Sequence, residues 1–212
     1  MQTNILSSTR LEVAVSLLLS GELLVFPTDT VYGLGGNAYN EAVVEKIFLY
    51  KKRDRSKPLS VCYASFKAVM EDAEVNGNAY KIATVFFPGA ITLVMKKSKN
   101  SRISNLCSAP NGTIGIRVPN NATALKLLNK LPFPLAAPSA NRSGCASVST
   151  PEDALESLRC ENLFALENED KKIIGTASTI IDVSEEIPSI LRVGAVSIEE
   201  LTEKTGLKFK FQ

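Results

Sequence analysis

Glu22-Leu-Leu-Val-Phe-Pro-Thr-Asp-Thr-Val-Tyr-Gly-Leu-Gly-Gly36 is the stretch on which the reading of this chain turns. The spacing predicts a strand over Glu22 to Phe26, running into a loop with three hydroxyls, one carboxylate and three glycines. Such a loop suits the strand ends where open α/β sheets bind ligands, because glycine lets backbone N–H groups approach an anion. The same composition also makes an ordinary strand-to-helix turn capped by Thr or Asp. Its spacing is neither a Walker loop nor a dinucleotide fingerprint.

Outward from this stretch, helical and strand-like segments alternate. Upstream, Ser7-Ser8-Thr9 caps a helix carrying Leu11, Val15, Leu18 and Leu19, which Gly21 closes. Downstream, Asn40 caps a helix with Val43, Val44, Ile47 and Phe48 that runs out at the basic stretch Lys51 to Lys57, before Pro58. Strands are predicted at 59–64, 91–95, 113–118, 135–137, 178–183 and 189–193. Helices are predicted at 78–87 and 122–130, from Thr150-Pro151 onward, and at 197–204. No repeat or low-complexity linker interrupts this order. The pattern predicts one α/β domain over 1–212 with a mixed sheet, since two strands follow one another directly near the C-terminus.

Composition narrows the chemistry. The chain has 212 residues, 45% hydrophobic and 22% charged, the balance of a soluble globular domain. Its net charge of +2 is too small to argue for nucleic-acid binding. There is no histidine, which excludes Ser-His-Asp and Cys-His nucleophiles, His-ligated metals and imidazole bases. The cysteines at 62, 107, 145 and 160 lack metal-ligand or C-x-x-C spacing, so reduced thiols in a cytoplasmic chain are expected. The apolar run 13–26 is broken by Ser16, Ser20, Gly21 and Glu22 and reads as neither membrane span nor signal.

Three further segments could carry chemistry. Lys51 to Lys57 holds five cations in seven residues, suited to a polyphosphate or to a solvated helix end. Lys51 and Arg53, two apart, share a face only if the chain there is extended. Ser139 and Asn141 in Ala136-Ala-Pro-Ser-Ala-Asn-Arg-Ser-Gly144 repeat that spacing with neutral groups, and an ordinary Ser/Asn/Gly loop is the other reading. Arg117 and Arg192 lie in apolar strands, where burial requires an anion: a ligand, or an internal carboxylate such as Asp182.

Together these segments resemble the YrdC family of L-threonylcarbamoyl-AMP synthases over nearly the whole chain. The resemblance rests on P-T-D-T-V-Y-G-L-G at 27–35 and P-S-A-N-R-S-G at 138–144. Between and after them lie K-x-R at 51–53, P-G-x-x-T at 88–92, R-x-P at 117–119, S-T-I-I-D at 178–182 and L-R-x-G at 191–194. It implies an open, twisted mixed sheet with flanking helices and a concave basic face, in the short single-domain form. The implied enzyme is a nucleotidyltransferase that joins ATP, L-threonine and bicarbonate into threonylcarbamoyl-AMP and pyrophosphate. Mg²⁺ would ride on the ATP phosphates, and downstream tRNA threonylcarbamoyl-transfer proteins would use the product. The resemblance carries over Lys51, Arg53, Ser139 and Asn141 as the catalytic set. Arg53, Lys57, Thr113, Ser139, Ser147 and Arg192 fall at ATP positions. Thr30, Cys62, Arg117, Ala137 and Ser178 fall at threonine positions, with Arg117 the partner of the substrate carboxylate.

This chain departs from the family pattern at Asp54, Cys62, Asn121 and Ala177, and lacks a D-G-G turn near Glu167 to Asp170. Several of these are expected on the threonine side of the site. The competing readings are a non-catalytic RNA-binding module and a repurposed paralogue.

Overall fold

The computed structural model describes residues 4–170 and 172–211. In chain order its elements are β1 (Ile5–Leu6), α1 (Leu11–Leu19), β2 (Leu24–Phe26), β3 (Gly33–Asn37), α2 (Glu41–Lys51), β4 (Ser60–Cys62), α3 (Phe66–Val69), α4 (Gly77–Phe86) and β5 (Ile91–Lys96). They continue with β6 (Thr113–Arg117), α5 (Ala122–Asn129), β7 (Leu135–Ala136), α6 (Pro151–Leu158), β8 (Phe164–Leu166), β9 (Thr179–Asp182), β10 (Ser189–Arg192), α7 (Ile198–Thr205) and β11 (Lys210–Phe211). The strands form one sheet in the order β1-β8-β2-β3-β7-β4-β6-β5-β9-β10-β11. Pairs such as β4–β6 and β5–β9 are parallel, whereas β2–β3, β5–β6 and β9–β10 are antiparallel. The sheet is therefore mixed, as the order of segments predicts.

The helices start where the capping residues place them. Asn40, Thr150 and Ser197 each accept a hydrogen bond from the backbone N–H three residues on, satisfying an otherwise orphan donor. The N-terminal helix differs slightly: Ser8–Arg10 forms a 3-10 turn before α1 begins. Four elements escaped the sequence reading. β1, β8, β11 and α3 are two to four residues long, too short for a period to show. A fifth is a correction: the glycine run belongs to strand β3, not to a loop.

Strand periodicity of two divides the sheet into unlike faces. Ile91, Leu93, Met95, Ile114, Ile116 and Ile181 point into the core shared with α2, α4, α6 and α7. On the opposite face, α1 and α5 cover Leu24, Phe26 and Leu135 near the β2 end. No described helix covers the rest of that face, from β4 to β10, and the cavity described below lies there.

Glycines in β3 make room for this layering. The Phe26 ring lies across Gly33 and Gly35, where a Cβ on Gly35 would stand 2.8 Å from Cε1. On the other face, a Cβ on Gly36 would stand 2.7 Å from both Leu23 Cδ2 and Val43 Cγ1. Both neighbours are buried core residues with little freedom to move. We predict that Gly36→Ala costs about 1–3 kcal/mol through overpacking, read as a lower urea midpoint with an unchanged slope.

Candidate active site

A cavity of about 500 Å³ opens over the uncovered half of the sheet. Its floor consists of residues two apart on successive strands: Ser60 and Cys62, then Thr113, Gly115 and Arg117, then Thr92 and Val94, then Ile180 and Asp182. Register aligns Cys62 with Arg117, Ser60 with Gly115, Val94 with both Gly115 and Asp182, and Ile180 with Arg192. The walls come from Thr28 and Thr30, from Ala137 to Ser139, from Arg53 with Pro58 and Leu59, and from Ala109 with Asn111.

The 27–35 and 138–144 segments are clamped together across the cavity mouth. Leu34 N–H donates to the Pro138 carbonyl at 2.9 Å, Ala140 N–H to the Tyr32 carbonyl at 2.7 Å, and Gly33 bridges Ser139. Away from the cavity, Asp72 anchors the 98–102 segment, its carbonyl accepting from Ser98 N–H at 2.8 Å. Its buried carboxylate accepts from the Tyr39 and Tyr63 hydroxyls at 2.9 Å each, from Ser101 Oγ at 2.7 Å and from Arg102 N–H at 3.1 Å.

At the deep end sits Arg117, only 7% exposed. Its Nη2 meets Asp29 Oδ1 at 2.5 Å, its Nη1 donates to Thr30 Oγ1 at 2.6 Å and its Nε donates to the Gly89 carbonyl at 3.3 Å. Asp29 also accepts from Asn120 N–H at 3.1 Å. The internal carboxylate is thus Asp29, and the expectation of Asp182 is corrected. Asp182 lies two strands across the sheet, aligned through Val94 with Gly115 rather than with Arg117, whereas the 27–31 turn delivers Asp29 directly. One N–H on each terminal nitrogen of Arg117 stays available to a ligand. Beside it, Ser178 Oγ and Thr92 Oγ1 are 2.8 Å apart, and Arg192 braces the Ser178 carbonyl through Nε and Nη2 at 3.2 and 2.8 Å. Cys62 completes this corner, its thiol pushed up to about 11 by burial despite the opposing charge of Arg117.

Lys51 departs most from the sequence expectation. It occupies the next position of the buried stripe 43, 44, 47, 48, 51 of α2, so helical geometry sends it inward rather than into the cavity. It is 1% exposed, and its ammonium donates to the carbonyls of Ser139 and Asn141. Its own carbonyl accepts from Ser143 N–H at 2.9 Å. Burial lowers the amine to about 8, and the neighbouring Arg53 charge adds to the effect. The expected extended stretch is absent. Lys52 ends the helix in the left-handed region at φ 50°, so Lys51 and Arg53 diverge. Arg53 reaches the cavity wall, held by the carbonyls of Lys57 and Pro58 at 3.1 and 2.9 Å, with further N–H groups unassigned.

Of the residues singled out by sequence, the cavity brings together Thr30, Arg53, Cys62, Thr113, Arg117, Ala137, Ser139, Ser147, Ser178 and Arg192. Lys51, Lys57 and Asn141 do not line it. Asn141 turns back to donate to the carbonyls of Arg142 and Cys145, while its buried Oδ1 has no partner. Ser139 and Asn141 therefore do not face one way. Only Cys62 and Ala177 among the departures border the cavity. Asn121 caps α5 and donates to Asn168 Oδ1 at 2.8 Å, and Asp170 accepts from Ala122 N–H at 2.6 Å, so the 121 and 167–170 departures form one joint beside α5. Asp54 is exposed and accepts from Ser56 N–H at 2.9 Å. Sequence reasoning missed the roles of Asp29 and Thr92, although both stand inside quoted motifs.

A mixed α/β sheet with one face left bare over a hydroxyl- and guanidinium-lined hollow defines a small-ligand-binding scaffold. The Sua5/YciO/YrdC family model, described as "Telomere recombination", matches residues 16–194, and the chain belongs to that family. It is 35% identical to the threonylcarbamoyl-AMP synthase of Pyrococcus abyssi over 198 residues, 93% of this chain and 57% of that one. It is 34% identical to the threonylcarbamoyl-AMP synthase of Bacillus subtilis over 195 residues, 91% of this chain and 56% of that one. The crystal structure of P. abyssi Sua5 complexed with L-threonine matches with a TM-score of 0.90 at 32% identity, covering 98% of this chain and 62% of that one. The chain thus spans somewhat more than half the length of these relatives.

Two outcomes test the geometry. Asp29→Ala strands the Arg117 charge and lowers stability by about 3–5 kcal/mol in urea unfolding. For Lys51, the folded value near 8 lies below the value near 10.4 of an unfolded lysine. Between these limits the unfolded chain holds more protons, so stability rises with pH; below about pH 8 the buried charge exerts its full cost. The stability of the wild type relative to Lys51→Met therefore improves from about pH 8 to about pH 10. A flat difference would contradict the lowered value.

Proposed function

We propose that this chain is an L-threonylcarbamoyl-AMP synthase, an ATP-using nucleotidyltransferase. The observation that carries this reading is the pairing, in one cavity, of a buried guanidinium flanked by hydroxyls with a wall bearing Arg53. The first suits an amino-acid carboxylate and the second suits phosphates. The L-threonine complex of the similar P. abyssi protein supports the same direction.

In this reaction the neutral amine of L-threonine attacks the carbon of bicarbonate, forming a C–N bond, and the hydroxyl of bicarbonate leaves with one amine proton as water. An oxygen of the resulting N-carboxylate attacks the α-phosphorus of ATP, and the bond to pyrophosphate breaks. The free N–H groups of Arg117, with Ser178 and Thr30 beside them, hold the threonine carboxylate. Arg53, Ser139, Ser147, Thr113 and Arg192 take the nucleotide side, and Mg²⁺ enters as the counter-ion of the ATP phosphates. Holding all components in one hollow replaces three encounters with one orientation and shields a labile N-carboxylate from water. Phosphoryl chemistry of this kind needs positioning and positive charge more than a proton shuttle, which suits a chain without histidine. Lys51 serves the same end indirectly, fixing the Ser139 loop. In the cell the product goes to proteins that pass the threonylcarbamoyl group to an adenosine beside a tRNA anticodon, a cytoplasmic task.

The test is pyrophosphate release from ATP, omitting threonine and bicarbonate one at a time. Release that needs both is expected, with Arg53→Ala about 10²–10³-fold slower at unchanged circular dichroism. Release indifferent to threonine, or none, would turn the reading toward a repurposed paralogue or an RNA-binding module.

A further inference from the structure

The loop after α2 serves two hollows. Arg53 lines the cavity over the sheet, whereas Arg55 and Ser56 line a second hollow of about 380 Å³. The turn before β6 divides its residues in the same way. Asn111 and Thr113 line the cavity, Pro110 and Gly112 line the second hollow, and Ala109 borders both. Main-chain bonds fix this partition: Gly112 N–H donates to the Ala109 carbonyl at 2.9 Å, and Ala109 N–H to the Thr113 carbonyl at 2.8 Å.

Both charged residues that line the second hollow, Arg55 and Lys97, are cations. Arg55 pairs with Glu45 through Nη2 and has further N–H groups unassigned. Lys97 makes no ion pair among the described residues. Its ammonium donates to the Ile103 carbonyl and, at 2.8 Å, to Asn105 Oδ1, which leaves one of its three N–H groups free. Asp54, the acid of the loop, accepts from Ser56 N–H at 2.9 Å and does not line the hollow. Ser108 does line it, and its Oγ, shielded from solvent, has no hydrogen-bond partner among the described residues. A buried hydroxyl left unpaired is costly, and serine can swing between staggered rotamers to meet a ligand. Donors and cations gathered without a carboxylate suit a compact polyanion.

Resting on the synthase reading, we propose that this second hollow receives the pyrophosphate that leaves ATP, while the cavity beside it stays occupied. The triphosphate lies along Arg53 and Thr113 in that reading, so the leaving group has only the 109–112 turn to pass. Arg55, Lys97 and Ser108 then hold it.

Equilibrium binding of pyrophosphate to the full chain, alone and with saturating α,β-methylene-ATP, tests this without turnover. The nucleotide-saturated wild type should still bind pyrophosphate, at least tenfold more tightly than orthophosphate. Arg55→Gln and Ser108→Ala should each weaken pyrophosphate about tenfold and leave the nucleotide and L-threonine within about twofold. The urea midpoint of Ser108→Ala should not fall, since the hydroxyl has no partner in the fold to lose. Exclusion of pyrophosphate by the nucleotide, pyrophosphate affinity within about twofold of wild type in either variant, an equal loss of nucleotide, no preference over orthophosphate, or a lowered Ser108→Ala midpoint overturns the proposal. Pyrophosphate binding beside the nucleotide without threonine-dependent pyrophosphate release sinks the synthase reading, while the hollow stands as a diphosphate site.

Discussion

Burying the Lys51 amine beneath the Ser139 and Asn141 carbonyls is the constraint around which the site is arranged. Removing an ammonium from water is expensive, and here only main-chain oxygens compensate it. Those oxygens must stay where they are, which fixes the 138–143 segment. That segment is in turn stitched to Tyr32, Gly33 and Leu34, so the end of α2, the start of β3 and the loop after β7 share one geometry. Arg53, two residues past the anchor, is thereby delivered to the cavity wall by the left-handed turn at Lys52.

The opposite corner solves a similar problem differently. Arg117 sits in a strand whose alternate residues, Ile114 and Ile116, are core. Periodicity places its guanidinium on the bare face, and Asp29 with Thr30 compensates most of its charge and hydrogen-bonding capacity. A buried cation paired in this way is held in one orientation. It offers a ligand a defined pair of donors rather than a mobile charge, which favours selectivity over raw attraction.

Much of this was legible in the sequence, for identifiable reasons. The capped, amphipathic helices and the longer strands announced themselves, because several residues repeat the relevant period. The motifs around 27–35, 138–144 and 178–194 marked the cavity walls. Lys51 was misplaced because its charge drew attention away from its register: 47 to 51 is one more helical turn of the same buried stripe. Asp182 stood as the candidate counter-charge, and Asp29 went unnoticed, because only the folded sheet tells which carboxylate shares a corner with Arg117. The glycines of β3 read as a loop because their purpose, receiving Phe26 and Val43, is tertiary.

The cavity floor is drawn from β4, β5, β6, β9 and β10, spread from Ser60 to Arg192 and interleaved by crossovers. The Arg53 wall and the Ser178 corner lie at opposite ends of a long stretch of the chain, from residue 53 to residue 178. Such non-local strand pairing slows folding, since long loops must close before the contacts that reward them form. The hollow is therefore among the last things to exist as the chain folds, and among the first to vanish when any one strand detaches. A ligand seated there binds only the complete sheet, and so stabilises the whole molecule against unfolding by mass action. Occupancy of this site doubles as a report that the chain has finished folding.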